Sequence, residues 1–254
     1  MTADGSQYYH TINHGFTLNE AAQVAALVQN GDFGDAIDGV VWRAEIDDCP
    51  LHAVRMAHTL GTELGIISNV QVRTVGRNPG ARQDDEHLIA ERAMLASMGV
   101  AAHPQVEATL DTFADIDRGY FIRKGLVDRR YNPNAGWRAL RTLHGLLDTL
   151  PGEFRTLNST GSEQSDTSAV LQAIVAEDVA VSLVSVVAQN ERASFARPAS
   201  TTLQGPAYVI SVDSGEVLQH RWVASGELAQ LETPLKRSSG RVILVATSKP
   251  LTFG

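Results

Sequence analysis

Apolar residues follow two different periods along the chain up to Pro151. Strand-like runs, either alternating or rich in β-branched and aromatic residues, cover residues 8–12, 40–46, 66–73 and 106–113. Runs with helical spacing follow each of them, near residues 17–28, 50–64, 85–98 and 133–147. Thr17 and Glu20 form a capping box at the first helix, and Asn132-Pro133 suits the start of the last. This order of elements predicts a parallel sheet with helical crossovers.

Each predicted strand has one apolar and one polar face. The charged residues on the polar faces, mostly toward the strand ends, are Arg43, Glu45, Arg73, Glu107 and Asp111. Central strands of an open doubly wound sheet are usually apolar on both faces, whereas the inner face of a barrel can be polar at its carboxyl-terminal rim. The pattern favours the barrel, with the open sheet as the alternative. Four repeats predict a partial, half TIM-type barrel, since a whole one needs about 250 residues.

The pattern changes at Pro151. Short β-rich runs then follow one another, separated by turn signals such as Glu177-Asp178 and Asp213-Ser214-Gly215. Such spacing without helical periodicity is typical of an antiparallel β-sandwich. The sequence therefore predicts two regions, a half (β/α)8-type barrel at residues 1–151 and a C-terminal β-sandwich at residues 152–254.

Composition narrows the classes of function. The chain has 254 residues and a net charge of −8, and an acidic protein without a basic stripe is a poor partner for nucleic acid or anionic membrane. It has no apolar run near the roughly 20 residues that span a bilayer, and its N-terminus lacks the features of a secretory signal. With a single cysteine, Cys49, an internal disulfide is excluded. We therefore expect a cytoplasmic location.

Known catalytic and ligand-binding motifs do not identify a reaction for this sequence. The glycine-rich nucleotide loops, the G-x-S-x-G elbow and the H-E-x-x-H zinc motif are all absent. His10 and His14 have helical spacing in a segment that is predicted as strand and turn, and no third ligand accompanies them. We therefore predict no metal site and no cofactor.

The loop after the last predicted strand is dense in charged and aromatic residues. Its candidate ligand-binding residues are Phe113, Asp115, Asp117, Arg118 and Tyr120, with Asp111 at the strand end as a candidate catalytic acid. These aspartates can bind sugar hydroxyls, or they can cap turns and pair with neighbouring arginines. Phe113 and Tyr120 can stack on a sugar ring, or they can be core residues. Trp137 can stack on a sugar ring as well, but it lies on the apolar stripe of the last helix, and this stripe favours inward packing.

The charged residues of the predicted inner face have two interpretations as well. Glu45 and Glu107 are candidate catalytic carboxylates, and Arg43 and Arg73 are candidate substrate-binding residues. Charged groups crowded at the rim of a barrel are typical of an active site. The same residues can instead form a buried ion-pair network that only fills the interior.

Three features together resemble the carboxyl-terminal part of clan A retaining glycoside hydrolases, the β-xylosidase-like group. They are the segment Gly125-Leu126-Val127-Asp128, the helix start at Asn132-Pro133 followed by Trp137, and the predicted sandwich after the helix. The resemblance implies a catalytic barrel with a sandwich packed on it, and a glycoside as substrate. It also implies a nucleophilic glutamate at the end of the seventh barrel strand, where this chain ends a strand with Gln71-Val72-Arg73.

This difference leaves three hypotheses about function. The chain is a partial or catalytically impaired glycoside hydrolase that acts on or binds glycosides. Alternatively, it is a non-catalytic carbohydrate-binding or scaffold protein. In the third hypothesis it is one piece of a larger assembly, in which a second copy or a missing N-terminal half supplies the other strands. A carbohydrate is the expected ligand in the first two hypotheses.

Overall fold

A computed structural model describes twelve stretches of the chain. They are residues 15–31, 37–74, 86–117, 122–150, 152–157, 164–165, 168–186, 192–195, 205–212, 217–222, 229–232 and 240–251. The predicted strand at residues 8–12, the pair His10 and His14, and the candidates Arg118 and Tyr120 lie outside the described residues. Contacts between Cα atoms divide the chain into two units, residues 1–137 and 138–254.

The first unit alternates strand and helix, as the sequence predicts. Its parallel strands are β1 (Phe16–Thr17), β2 (Gly39–Ala44), β3 (Ile67–Val72) and β4 (Ala108–Leu110). Its helices are α1 (Ala21–Gln29), α2 (Pro50–Leu64) and α3 (Glu86–Ala102), and a fourth helix, α4 (Ala135–Leu147), begins at its end. A short antiparallel pair, β5 (Ile116–Asp117) and β6 (Ile122–Arg123), lies in the loop before α4.

Three element boundaries differ from the prediction. The first helix is predicted from Thr17, but Thr17 ends β1, and α1 begins at Ala21 after a short 3-10 helix at Leu18–Glu20. Helix α3 continues through Gly99 to Ala102, although the glycine suggests a stop. A Cβ at Gly99 would lie 2.9 Å from the Val54 Cβ, so this glycine allows α2 and α3 to approach closely. Strand β4 has only three residues instead of the predicted eight, because β3 ends at Val72 and the last ladder bond runs from the Asp111 N–H to the Val72 carbonyl (3.1 Å).

The four strands form a parallel sheet in the order β1-β2-β3-β4. The register aligns Ala44 of β2 with Val72 of β3, and Val72 with Leu110 of β4. This sequential order has no reversal point, which an open doubly wound sheet requires. The parallel sheet is thus confirmed, and its membership of a half barrel remains a prediction.

Helices α1, α2 and α3 pack on one face of this sheet. Val40, Trp42 and Ala44 of β2 and Val70 and Val72 of β3 form one buried cluster with residues of α2 and α3. The indole of Trp42 has no exposed surface, and its Nε1–H donates to the Ser68 Oγ at 2.7 Å. Residues of the opposite parity, such as Val41 at 45% exposure, lie on the face that these helices leave uncovered.

Arg92 of α3 holds the carboxyl ends of β2 and β3 together. Its guanidinium, in a residue only 3% exposed, donates to five backbone carbonyls. These acceptors are Ala44 (3.2 Å), Glu45 (2.6 Å), Ile46 (2.8 Å), Asp48 (2.8 Å) and Arg73 (2.6 Å). Desolvation by burial lowers the pKa of Arg92, and nearby groups, Asp48 foremost, oppose that change.

His58 of α2 and His103, just after α3, stack at the amino ends of the strands. Their ring centroids are 4.7 Å apart, and the Nε2 of His103 is buried without a hydrogen-bond partner. Desolvation, then the positive charges of His58 and Arg55, lower the pKa of His103. A cavity of about 470 Å³ adjoins His58, with Thr62, Ser68 and Gln105 among its polar lining residues.

The second unit is built of antiparallel strands. One sheet has seven strands, β7 (Arg155–Thr156), β8 (Gln164–Ser165), β9 (Ser168–Ala176), β10 (Val179–Val186), β12 (Pro206–Ser211), β13 (Val217–Trp222) and β15 (Gly240–Thr247). Strands β11 (Arg192–Phe195) and β14 (Ala229–Glu232) form a separate ribbon. The antiparallel β-rich region is confirmed, whereas the two-layered sandwich remains a prediction. The boundary between the two units falls within α4, after Trp137. The last helix ends at Leu147, and only strands follow it among the described residues.

Replacing Arg92 by methionine removes all five donated hydrogen bonds and leaves buried carbonyls without a partner. An unsatisfied buried acceptor costs about 1–3 kcal/mol, so we expect Arg92→Met to lower the free energy of unfolding by roughly 3 kcal/mol or more. Arg141→Met, at an exposed position of α4, is the control and should change it by less than about 0.5 kcal/mol. Urea titration measures both, and equal stabilities would contradict the assigned role of Arg92.

The lowered pKa of His103 predicts a pH dependence of stability. Because the unfolded chain takes up this proton at its ordinary value of 6.5 and the folded chain only at lower pH, protons favour unfolding. We expect stability to fall as the pH drops below the ordinary value, and to level off below the folded pKa. His103→Gln should remove this loss of stability at low pH, so that its plot of stability against pH is flatter in this range. His58→Gln should make the loss of stability smaller without removing it. A His103→Gln curve that is parallel to wild type would contradict the assignment.

Candidate functional site

A row of charged residues crosses the carboxyl ends of three neighbouring strands. Glu45 directly follows β2, Arg73 follows β3, and Asp111 follows β4. The register places them side by side, since Ala44, Val72 and Leu110 before them are aligned. Their alternation with buried Ala44 and Val72 puts the three side chains on the face opposite the helices. We call this set, together with Arg43, the charged row.

Each carboxylate of the charged row is paired with an arginine. The Arg43 Nε lies 2.5 Å from Glu45 Oε1, and the Arg73 Nε lies 3.2 Å from Asp111 Oδ2. Asp111 Oδ1 also accepts hydrogen bonds from the backbone N–H (3.0 Å) and the hydroxyl (2.6 Å) of Thr74. The four side chains are between 8% and 18% exposed, so water screens these pairs only partly. The row thus presents alternating donors and acceptors with no net charge.

Uncharged polar residues lie on the same face at the level of Arg43, two residues before the level of Glu45, Arg73 and Asp111. Thr17 of β1, Gln71 of β3 and Thr109 of β4 align with Arg43 across the sheet. Hydroxyl and amide groups both donate and accept hydrogen bonds. The polar surface therefore extends across all four parallel strands.

Glu107 is separate from the charged row. It precedes β4, and its backbone N–H donates to the Asn69 side-chain oxygen at 3.0 Å. The four residue steps between Glu107 and Asp111 correspond to about 13 Å along a strand. The structure therefore brings Glu45, Arg73 and Asp111 together at one edge of the sheet and leaves exposed Glu107 at the other.

Two exposed aromatic rings lie just beyond the charged row. Phe113 is 54% exposed, and it meets Trp137 edge to face with ring centroids 6.4 Å apart. Trp137 is itself 41% exposed, so it is not the inward-packed residue that the helical stripe predicts. Helix α4 begins at Ala135, where a hydrogen bond from its N–H to Glu86 Oε2 (3.3 Å) holds its first turn, and Trp137 follows on the partly exposed side.

Gly125 is needed where the loop passes behind Phe113. A Cβ at this position would lie 2.5 Å from the Phe113 carbonyl oxygen, closer than real Cβ contacts allow. The close approach permits the hydrogen bond from the Val127 N–H to the Phe113 carbonyl at 3.1 Å. The glycine of the Gly125-Leu126-Val127-Asp128 segment thus fixes the backbone that carries Phe113.

Asp115 and Asp117 are engaged in building the loop. Asp115 Oδ1 accepts from the Gly125 N–H at 2.8 Å and from the Asn134 side-chain amide at 3.0 Å, and its Oδ2 lies 3.4 Å from Lys124 Nζ. Asp117 pairs with Arg129 at 3.6 Å, with about half of each side chain exposed. These contacts are the ones expected from the turn-capping interpretation of the two aspartates.

The described residues contain neither a group of metal ligands nor a membrane-spanning helix. Within the stretches that the structure describes, no three His, Cys, Asp or Glu side chains are grouped to hold a metal ion. No helix among the described residues is long and apolar enough to cross a membrane.

Comparisons with known proteins gave matches only among solved structures. No protein-family model matches the sequence, and no curated protein matches it. A glucosidase from Croceicoccus marinus is 15% identical with a TM-score of 0.44, over 89% of this chain and 58% of that one. A family 39 glycoside hydrolase from Bacteroides cellulosilyticus is 12% identical with a TM-score of 0.47, over 88% and 47%.

A third solved structure is a β-L-arabinopyranosidase from Geobacillus stearothermophilus, in complex with arabinose. It is 11% identical with a TM-score of 0.31, over 91% of this chain and 62% of that one. The chain thus spans about half of the first two structures' length, 58% and 47%. With TM-scores below 0.5, these similarities assign no function to this chain.

Proposed function

We propose that this chain is a glycoside-hydrolase-like protein that binds a glycoside at the charged row and the Phe113–Trp137 pair. The observation that carries the proposal is that exposed aromatic rings follow directly on a row of paired arginines and carboxylates. A sugar offers hydroxyls that donate and accept, which arginine and carboxylate groups complement. It also offers apolar C–H surfaces, which an aromatic ring can cover. The resemblance of the Gly125–Asp128 segment to β-xylosidase-like enzymes supports the same ligand class.

The arrangement of carboxylates favours binding over hydrolysis. Retaining hydrolysis needs two carboxyl groups roughly 5–5.5 Å apart, one of them protonated as the acid. Glu45 and Asp111 follow β2 and β4, with β3 between them, so their backbones are about 10 Å apart at the usual strand spacing of about 4.8 Å. Arg73 occupies the position between them, and each carboxylate forms an ion pair with an arginine. We therefore propose a catalytically impaired or partial hydrolase.

A second candidate is that the chain is one piece of a larger assembly. Among the described residues, the sheet face opposite the helices exposes two aliphatic side chains, Val41 at 45% and Ile67 at 59%. β1 and β4 are the outer strands of the four-stranded sheet. Open strand edges and exposed aliphatic residues favour pairing with another chain. Size-exclusion chromatography with light scattering distinguishes the candidates, since a monodisperse monomer argues against self-assembly.

Loss of the Phe113 ring should weaken saccharide binding. Phe113→Ala removes a stacking surface worth about 1 kcal/mol or more, so we expect roughly five- to tenfold weaker binding of xylo- or cello-oligosaccharides. Leu27→Ala is the matched control, because Leu27 is an exposed apolar residue of α1, 41% accessible. Isothermal titration calorimetry against xylohexaose and cellohexaose measures both. Wild-type protein that binds neither probe would overturn the proposed function.

The purified chain should turn over aryl glycosides no faster than the buffer blank. The physical reason is that, among the described residues, Glu45 and Asp111 follow strands that are not neighbours, whereas retaining hydrolysis needs two closely spaced carboxyls, one of which holds a proton. A panel of nitrophenyl glycosides provides the assay, with Glu45→Ala, Glu107→Ala and Asp111→Ala measured in parallel. Robust turnover that one of these substitutions abolishes would show an active hydrolase and identify its carboxylate.

A further inference from the structure

The loop before α4 contains a tight turn at residues 128–132. The Asp128 carbonyl accepts from the Tyr131 N–H at 3.0 Å, and the Asp128 N–H donates to the Asn132 carbonyl at 2.9 Å. The Asp128 carboxylate accepts from the backbone N–H groups of Arg130 (2.7 Å) and Asn132 (2.8 Å), and from the Asn132 side-chain amide (2.8 Å). The hydrogen bonds from Asn132 are the main cause that lowers the pKa of Asp128. Five hydrogen bonds thus fix the turn.

Tyr131 has an unusual backbone conformation in this turn. Its φ is +62°, and it is the one non-glycine residue with positive φ among those that the structure describes. A three-residue turn closed in this way normally places glycine at the left-handed position, because a Cβ there meets the backbone. The side chain of Tyr131 is 74% exposed, so burial does not offset the strain. The turn therefore holds a large ring out into solvent at a cost in stability.

The turn is attached to the segment that carries the aromatic pair. Val127, just before it, donates to the Phe113 carbonyl (3.1 Å) and accepts from the Asp115 N–H (2.9 Å). Val127 also bridges to Pro133, just after the turn. The tip lies within about three residues, or about 10 Å, of Val127. Exposed Tyr131 thus belongs to the turn that follows the segment hydrogen-bonded to the Phe113 backbone.

We propose that Tyr131 is an outer stacking residue for a saccharide of several units. The inference rests on the proposed function, and it names the kind of ligand: an oligosaccharide long enough to reach from the Phe113–Trp137 pair to the turn. A tyrosine ring suits this place because it has an apolar face and a polar tip that tolerates water. Rigid presentation reduces the entropy lost when the sugar binds. Backbone strain of this kind clusters at active sites and ligand-binding segments.

Two variants separate the ring from the backbone. Tyr131→Asn removes the ring and keeps a residue type that tolerates the left-handed region, and Tyr131→Phe keeps the ring. We expect Tyr131→Asn to weaken binding of xylohexaose or cellohexaose by roughly five- to tenfold, with little effect on the corresponding disaccharide. Tyr131→Phe should bind like wild type. Phe113→Ala, in contrast, should weaken binding of both lengths.

Calorimetry on the full chain, with thermal unfolding in parallel, decides between the outcomes. Tyr131→Asn should melt no lower than wild type, since it relieves strain. If wild-type protein binds hexasaccharide and Tyr131→Asn binds it equally well, Tyr131 is not a ligand contact, and the proposed function stands without it. If wild type binds no saccharide, the proposed function and this inference are both overturned. A lower melting temperature with unchanged affinity would assign Tyr131 a structural role only.

Discussion

The five hydrogen bonds of Arg92 are the interaction on which the candidate site depends. The guanidinium enters from the helix side, and two of the carbonyls to which it donates belong to Glu45 and Arg73, whose side chains lie on the other face. A planar group with five donors can satisfy carbonyls from two strands at once, which lysine cannot do. Helix α3 therefore fixes the spacing of β2 and β3 at the edge where the charged row begins.

Strands β2 and β3 contribute residues to both the hydrophobic core and the candidate site. Because side chains alternate between the two faces of a strand, the core residues and the site residues lie on opposite faces. Ala44 and Val72 are fully buried against helices, and the residues that follow them belong to the charged row. If the pairing of either strand shifted by one residue, its charged residues would be buried and its core residues exposed. Burial of the hydrophobic face therefore also fixes the register of the residues on the polar face. The packing of Trp42 and Val70 in the core thus also fixes the positions of the residues on the polar face.

The alternation of apolar and polar residues in the sequence predicts which side chains share a face of the sheet. It does not predict which residues of neighbouring strands lie side by side. Glu45, Arg73 and Asp111 could be grouped in advance for this reason. Glu107 has the same parity as Asp111, and only the register and the shortness of β4 separate it from the row. Gly99 was misleading because its role is a contact between helices, which one sequence does not reveal. Nothing in the sequence around Tyr131 indicates a left-handed backbone, since tyrosine rarely adopts it.

Arg73 sets the chemistry that the row can perform. A carboxylate in a half-buried place must either take up a proton, as a catalytic acid does, or acquire a cationic partner. In this row each carboxylate has an arginine partner, and signs alternate from Arg43 to Asp111. Such pairing stabilises an arrangement of fixed donors and acceptors. Arg73 is thus suited to orienting hydroxyl groups, which agrees with the proposed recognition of a sugar better than with its cleavage.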